Sequence, residues 1–565
     1  MTSAPWWKDA VCYQIYPRSF ADSNGDGFGD INGVRRRIPY LAQLGISVVW
    51  FSPMYVSPQA DNGYDIADYD HIDPRFGTDD EFDAMLAEFH DHGIRVVMDL
   101  VVNHTSDQHP WFLASRDPAS PYRDWYVWRD PASSRPSSFA VDEQAPRGVW
   151  RGDEPTMWRS AFSGPTWRWD PQSKQYYLHF FDPGQPDLNW DNPEVRGEVY
   201  AMMRRWIDRG VDGFRMDVIN LISKPPIVES DSDGSLDQCL FGPHFHEYIQ
   251  EMRREVFDRY PDTVFFTVGE TPGASIEDAS LTTDPARREL DMVFQFEHME
   301  LDGIGGDKFQ LKPLHLPDLK RNLVNWCEGL RGRGWNSLYF ENHDQPRSVS
   351  RFGNDTEFRV ESAKALAAML HAHQGTPFVY QGQELGMTNY PFTAIADFDD
   401  VEVKGYWREH VELHGEDAAS VLRALNVKAR DHARTPMQWD DTEHGGFTTG
   451  TPWLAVNPNA TEINAASQVG VAGSVFEFYR ELIALRHRLP VLVDGSTSLV
   501  DADDPTLWHI VRRDGATTLH AVANFSDQPR ELELPSGETV LSNVTTPREG
   551  GRVEFAPWEV RWILS

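Results

Sequence analysis

At 565 residues the chain is too long for one ordinary domain, and its 40% hydrophobic and 25% charged residues mark a globular, soluble protein. Its 52 basic residues against 87 acidic ones leave a formal charge of −35, which argues against nucleic acid and anionic membrane as partners and favours a neutral or cationic one. Cys12, Cys239 and Cys327 are too far apart for a zinc site and too few for a disulfide framework. No basic stretch leads into an apolar run at the start, and no run of about 20 apolar residues follows, so the expected location is the cytoplasm.

In chain order, the first apolar run is VCYQIY (11–16), and an acidic, glycine-rich loop, DSNGDGFGD (22–30), follows it. Asp22, Asn24, Asp26 and Asp30 have the spacing of ligand positions one, three, five and nine of a calcium-sensor loop. Position twelve is Gly33 rather than a bidentate glutamate, and a strand replaces the first flanking helix, so a switching sensor is not expected. Further runs are SVVWFS (47–52), RVVMDLVV (95–102), GFRMDV (213–218), VFFTVG (264–269), MVFQF (292–296), SLYF (337–340) and PFVYQG (377–382). Continuous apolar runs suit strands buried on both faces. Stretches such as EFDAMLAEFHDHG (81–93) and EVYAMMRRWIDRG (198–210) carry apolar residues at helical spacing and stop at glycine. Strand and helix alternate eight times, which predicts a (β/α)8 barrel over 1–104 and 176–489. Residues 105–175 are too long for a βα loop and read as an inserted domain, and ESDSDGSLD (229–237) reads as a solvated loop. From 490 to 565 short alternating runs predict an antiparallel β-sandwich domain.

Chemistry in such a barrel belongs at the carboxyl ends of the strands. The third strand ends in Asp99, with Asn103 and His104 after it, Arg215 and Asp217 lie on the fourth, Glu270 ends the fifth, and Glu341, Asn342, His343 and Asp344 follow the seventh. One such aspartate is usually a helix cap, but crowding this many charged groups on one rim is costly unless they act. Two carboxylates flanking a glycosidic bond can cleave it. Arg215, two residues before Asp217, shares its face of the strand and is expected to lower the Asp217 pKa, as a nucleophile needs. Glu270 has no basic neighbour in sequence, and burial beside negative charge is expected to raise its pKa, as an acid needs.

With DLVVNH (99–104), QPDLN (185–189), GFRMDV (213–218), TVGET (267–271) and ENHDQP (341–346) in this order, the chain resembles the α-amylase superfamily, in its oligo-1,6-glucosidase and α-glucosidase branch, over nearly its whole length. The resemblance implies a nucleophile at Asp217, a general acid/base at Glu270 and a sugar-distorting carboxylate at Asp344. It implies that Arg215, His104 and His343 position Asp217 or the bound glucosyl unit. It places Asp61 and Tyr64 (DNGYD) and Arg430 and Arg434 (ARDHARTPMQW) around a terminal glucose, with Arg434 pairing Asp61 to wall the pocket. Aromatic faces of the inserted domain, such as Phe162, would stack on sugar. The implied reaction is hydrolysis with retention, releasing α-glucose from chain ends, with the two carboxyls about 5–5.5 Å apart.

Val218 follows the nucleophile, and in the resembling branch valine there accompanies α-1,6 preference, worth about 1–3 kcal/mol. The alternatives are an α-1,4-glucosidase, a sucrose hydrolase or a transglucosylase on the same fold. A non-catalytic relative would lack Asp217, Glu270 and Asp344. Glu341 and Gln383 depart from the branch's usual residues and are expected to reshape the pocket rim. The resemblance also implies a structural Ca2+ or Mg2+ on Asp22, Asn24, Asp26, Asp30 and the Phe28 carbonyl, on the catalytic rim. The expected partner is a small oligosaccharide; monomer and homo-oligomer both remain open.

Overall fold

The computed structural model describes residues 5–133, 142, 144–228, 230–545 and 551–565. Among them, eight parallel strands form one sheet: β1 (Cys12–Ile15), β2 (Val48–Phe51), β3 (Arg95–Val101), β4 (Gly213–Asp217), β5 (Phe266–Glu270), β6 (Met292–Phe294), β7 (Ser337–Leu338) and β8 (Thr376–Tyr380). They run in the order β6-β5-β4-β3-β2-β1-β8-β7, and a parallel bridge from Val293 to Asn336 nearly closes the ring. Every residue of β1, β2, β4, β5 and β8 is buried, which is why these strands read as unbroken apolar runs.

A helix follows each strand: α1 (Ile31–Leu44), α2 (Asp79–Asp91), α3 (Pro193–Arg209), α4 (Phe245–Glu255), α5 (Ile276–Thr283), α6 (Leu316–Leu330), α7 (Arg359–His371) and α8 (Val475–Arg488). Their ends follow local chemistry. Thr78 and Glu81 form a reciprocal capping box at α2, and Asn192 caps α3, with Pro193 in its first turn. Gly45 and Gly210 stop α1 and α3 at φ 91° and 115°, where a Cβ would be strained. No helix among the described residues is long and apolar enough to cross a membrane.

Between β3 and α3 the chain builds a three-stranded antiparallel sheet from Trp128–Arg129, Gln175–Leu178 and Trp167–Asp170. Its strand Gln175–Leu178 runs past the expected boundary at 175. The expected loop at 229–237 contains instead a strand, Ser230–Ser235, paired in parallel with Thr156–Arg159. Backbone pairing supplied by the neighbouring segment overrides a sequence with no strand pattern of its own.

The C-terminal strands are β9 (Ser496–Val500), β10 (Leu507–Asp514), β11 (Thr517–Asn524), β12 (Arg530–Leu534), β13 (Glu538–Ser542), β14 (Gly551–Phe555) and β15 (Val560–Leu564). They form an antiparallel sheet β9-β10-β11-β15-β13 and a smaller pair β12-β14. Lys320 of α6, fully buried, donates to the carbonyls of Asp501 (3.0 Å), Asp504 (2.7 Å) and Leu507 (2.7 Å) and ties this domain to the barrel.

Candidate active site

Arg215 sits at the centre of the barrel floor, 1% exposed. Residues two apart on a strand share a face, so Arg215 and Asp217 point the same way, and the register sets Arg215 opposite Asp99 on β3. Its guanidinium reaches three carboxylates: Asp99 at 2.9 Å, Asp217 at 2.7 Å and Glu270 at 2.5 Å. Trp50 Nε1 (3.2 Å) and the Tyr64 hydroxyl (2.9 Å) also donate to Asp99, which fixes the arginine's anchor.

The structure corrects one expectation here, the lowering of Asp217, and adds a partner for Glu270. Glu270, without a basic neighbour in sequence, has Arg215 as an ion-pair partner in space. Asp217 is raised to about 7, not lowered: burial outweighs the pull of Arg215, and the Asp99 charge adds to the rise. Glu270 is also raised to about 7, by burial first, with Arg215 opposing and Asp217 and Asp344 reinforcing. Asp217 and Glu270 reach Arg215 from neighbouring paired strands, so each carboxyl lies in the field of the other. Both carboxyls are thus raised into the neutral range, where an ionised nucleophile and a protonated acid can coexist.

Beside this pair Asp344 is held well below the usual carboxylate range; burial opposes this, but His343, Arg430 and Arg434 prevail. Its partners are Arg434 Nη2 at 2.8 Å, His343 Nε2 at 3.1 Å and Arg430 Nη1 at 3.2 Å. His343 is buried, 2.8 Å from Gln14 Nε2, and its ring stacks on Tyr64 at 5.1 Å. His104 donates from Nε2 to the Tyr64 carbonyl at 3.0 Å, and burial pulls its pKa down to about 3, so it stays neutral.

The wall around a terminal sugar is built differently from the expectation. Arg430, not Arg434, pairs with Asp61, at 3.1 Å; Arg434 reaches Asp344 and the His343 carbonyl (3.0 Å) instead. Arg430 lies over the Phe162 ring at 4.8 Å and is braced from below by Asp400 at 3.0 Å. The two arginines lie one turn apart, and sequence could not say which of them reaches across the pocket. Asp400 and Gln185, which donates to Asp61 at 3.2 Å, were not singled out as contacts; each lies far from its partner in sequence.

Asp61, Tyr64, His104, Asp217, Glu270, Asp344 and Arg430 line a cavity of about 750 Å3, with Phe162, Phe181, Phe296 and Phe309 also on its walls. Val218 lines it too, in a left-handed conformation (φ 34°, ψ 43°) unusual for a β-branched residue, and its amide donates to Glu270 at 3.1 Å. Glu341 and Gln383 do not reshape the rim. Glu341 is buried against Arg347 (3.5 Å) and the Ser348 amide, and Gln383 accepts from the Tyr380 amide at 3.1 Å. Both finish the β-strand ends beneath the pocket.

The Asp22–Asp30 loop joins β1 to α1 at the carboxyl-end face of the barrel, as expected, but does not line the cavity. It packs on 447–453: Asp22 donates its amide to the Phe447 carbonyl (3.0 Å), and the Arg18 guanidinium stacks on Trp453 at 3.8 Å. Asp22 Oδ1 accepts from the amides of Asn24 (2.9 Å) and Gly25 (2.7 Å), and Asp22 Oδ2 from Gly27 (2.8 Å). Asp30 caps α1, accepting from Gly33 and Ser23, each at 2.7 Å. Among the described residues no cluster of three or more His, Cys, Asp or Glu converges as a metal cage.

The family described as "Alpha amylase, catalytic domain" matches residues 14–495, and a domain of unknown function matches 494–562. The oligo-1,6-glucosidase of Parageobacillus thermoglucosidasius is 49% identical over 98% of both chains. Two solved structures cover both chains fully. The trehalose-6-phosphate hydrolase of Bacillus licheniformis has a TM-score of 0.91 at 40% identity, and the isomaltulose synthase of Protaminobacter rubrum 0.92 at 39%.

Proposed function

The chain belongs to the alpha-amylase family and is a glycoside hydrolase, and on that premise we propose that it is a retaining, exo-acting oligo-1,6-glucosidase. It releases α-glucose from the non-reducing end of short oligosaccharides and favours α-1,6 links. One observation carries this reading: a single buried arginine contacts two carboxyls, both raised to about 7, in a pocket walled by Asp61 and Arg430.

Asp217 attacks the anomeric carbon while Glu270 protonates the departing oxygen. The glucosyl ester on Asp217 is then hydrolysed by water that Glu270, now a base, deprotonates. Asp344, kept ionised by three cationic or polar neighbours, accepts hydrogen bonds from the glucosyl hydroxyls. Arg430 and Asp61 close the pocket beyond that sugar, so a chain end enters and a chain interior does not. Val218 faces the second sugar and sets the linkage preference. The isomaltulose synthase neighbour supports a second reading, in which the same glucosyl ester is passed to a sugar rather than to water.

The test is a panel of isomaltose, maltose and sucrose, followed by NMR of the first-formed anomer. Isomaltose should be cleaved fastest, with α-glucose appearing first. Faster cleavage of maltose sinks the linkage assignment, and β-glucose as first product sinks the retaining mechanism.

Two further readings go with this. A Ca2+ or Mg2+ on the Asp22–Asp30 loop is supported by its all-oxygen donor set: each carboxylate has about four acceptor positions, more than its amide partners occupy. Such an ion would neutralise three like charges and stiffen the contact with 447–453. A cytoplasmic location is supported by three buried free thiols, Cys12, Cys239 and Cys327.

A further inference from the structure

The outer half of the pocket, where a leaving sugar must lie, is lined by charged groups that the mechanism above does not use. Four cations face it: Arg159, Lys308, Arg351 and Lys428. Each is already held by a carboxylate. Arg159 pairs with Glu409 and Lys308 with Glu402. Arg351 and Lys428 both pair with Asp302, at 2.8 Å and 2.6 Å.

Three carboxylates thus hold four cations, and Asp307 and Glu300 bring the carboxylates to five, a surplus of one negative charge. Asp307 accepts hydrogen bonds only from neutral groups, the Tyr406 hydroxyl (3.1 Å) and the Phe309 amide (2.8 Å). Glu300 lines the pocket, and partial desolvation of its carboxyl, with the charges of Glu297 and Asp237, raises it, while Lys428 opposes. Deeper in, Asp61, Asp99, Asp217, Glu270, Asp344 and Asp400 outnumber Arg215, Arg430 and Arg434. Among the described residues, then, the lining holds no cation free to meet an anion, and its surplus charge is negative. A cleft lined by one sign of charge repels ligands of that sign and attracts the other.

We propose that the outer pocket is a charge gate, admitting neutral and cationic leaving groups and turning away anionic ones, phosphorylated sugars among them, with Glu300 and Asp307 setting its sign. This rests on the α-glucosidase reading of the site and narrows its substrate class. It also separates this chain from its trehalose-6-phosphate hydrolase neighbour, whose named substrate is anionic. A phosphate entering here would lose its hydration and gain no charge-assisted partner unless an existing ion pair broke.

The test uses aryl α-glucosides whose aglycones have similar shape and differ in charge: 4-carbamoylphenyl (neutral), 4-carboxyphenyl (anionic) and 4-trimethylammoniophenyl (cationic). kcat/KM is measured for the intact enzyme, for Glu300→Gln and for Glu300→Lys, at low and high salt. Comparing each substrate across variants cancels differences in leaving-group reactivity. The anionic-to-neutral ratio should rise about two-fold in Glu300→Gln and about five-fold in Glu300→Lys, from one and two unit charges at about 8–10 Å in a water-like dielectric. The cationic-to-neutral ratio should fall in parallel, and added salt should shrink both changes. Trehalose 6-phosphate should remain uncleaved by the intact enzyme.

Ratios unmoved by both variants and by salt overturn the gate, as does brisk cleavage of the anionic glucoside by the intact enzyme. If refusal of the anionic substrate persists in both variants at high salt, size and not charge excludes it, and the gate falls. Failure to cleave the neutral glucoside would instead sink the α-glucosidase reading.

Discussion

Replacing Arg215 by methionine would keep much of the side chain's volume and remove the charge that three carboxylates share. The arginine is 1% exposed and lies 2.7 Å from Asp217 and 2.5 Å from Glu270, so solvent screens little of the interaction. With charge centres about 4 Å apart and an effective dielectric of about 20, each contact is worth about 4 kcal/mol, or about three pKa units. Asp217, at about 7 with the arginine present, would move to roughly 10. At pH 7 only about one molecule in a thousand would then hold an ionised nucleophile, against about half of the intact enzyme, and kcat should fall about 500-fold. The loss should ease as pH rises towards 9, because deprotonation restores the nucleophile; the intact enzyme should show no such alkaline recovery. Thermal unfolding gives a second readout with a definite sign. Carboxyls raised in the folded state bind more protons there than when unfolded, so the variant should lose stability steadily as pH rises from 5 to 9. Stopped-flow or discontinuous assays of 4-nitrophenyl α-glucoside from pH 5 to 9, with melting curves at each pH, test both. A variant whose kcat falls by less than ten-fold at pH 7, with an unshifted pH profile, would refute the account of Arg215 as the group that keeps one carboxylate ionised.

Val218→Thr should shift the ratio of maltose to isomaltose kcat/KM towards maltose by about ten-fold, within the roughly 1–3 kcal/mol such a contact supplies; an unchanged ratio would remove Val218 from specificity. Buried histidines should govern acid stability. His371 is 2% exposed, its Nδ1 has no partner, and burial with the nearby Arg486 pulls its pKa down to about 3. Its folded pKa lies below the unfolded 6.5, so the unfolded chain binds more protons as pH falls through that window, and stability drops from pH 6.5 downwards. The difference reaches about 2 kcal/mol by pH 5, and His371→Leu should lessen the fall in melting temperature between pH 7 and 5. Chelation of metal from the Asp22–Asp30 loop should lower the melting temperature and leave kcat near its starting value, because the loop does not line the cavity. An unchanged melting temperature, in protein shown by elemental analysis to have lost its ion, counts against the ion.

The barrel was legible in the sequence because burial on both faces leaves a local trace: eight apolar runs, each with a helical stretch after it, became β1 to β8 and α1 to α8. Asp217, Glu270, Asp344 and their neighbours stood out because they sit at strand ends, where position along the chain is also position on the rim. Charge state was not legible. That Glu270 lies 2.5 Å from Arg215, that Arg430 rather than Arg434 reaches Asp61, and that Asp400 braces it from below all depend on groups brought together across long stretches of chain. The strand at 230–235 was hidden for the same reason: its hydrogen bonds come from the inserted segment, not from its own residues. The sequence by itself determined which residues the site contains; tertiary packing decided their electrostatics, because desolvation and through-space charge arise only once distant segments meet.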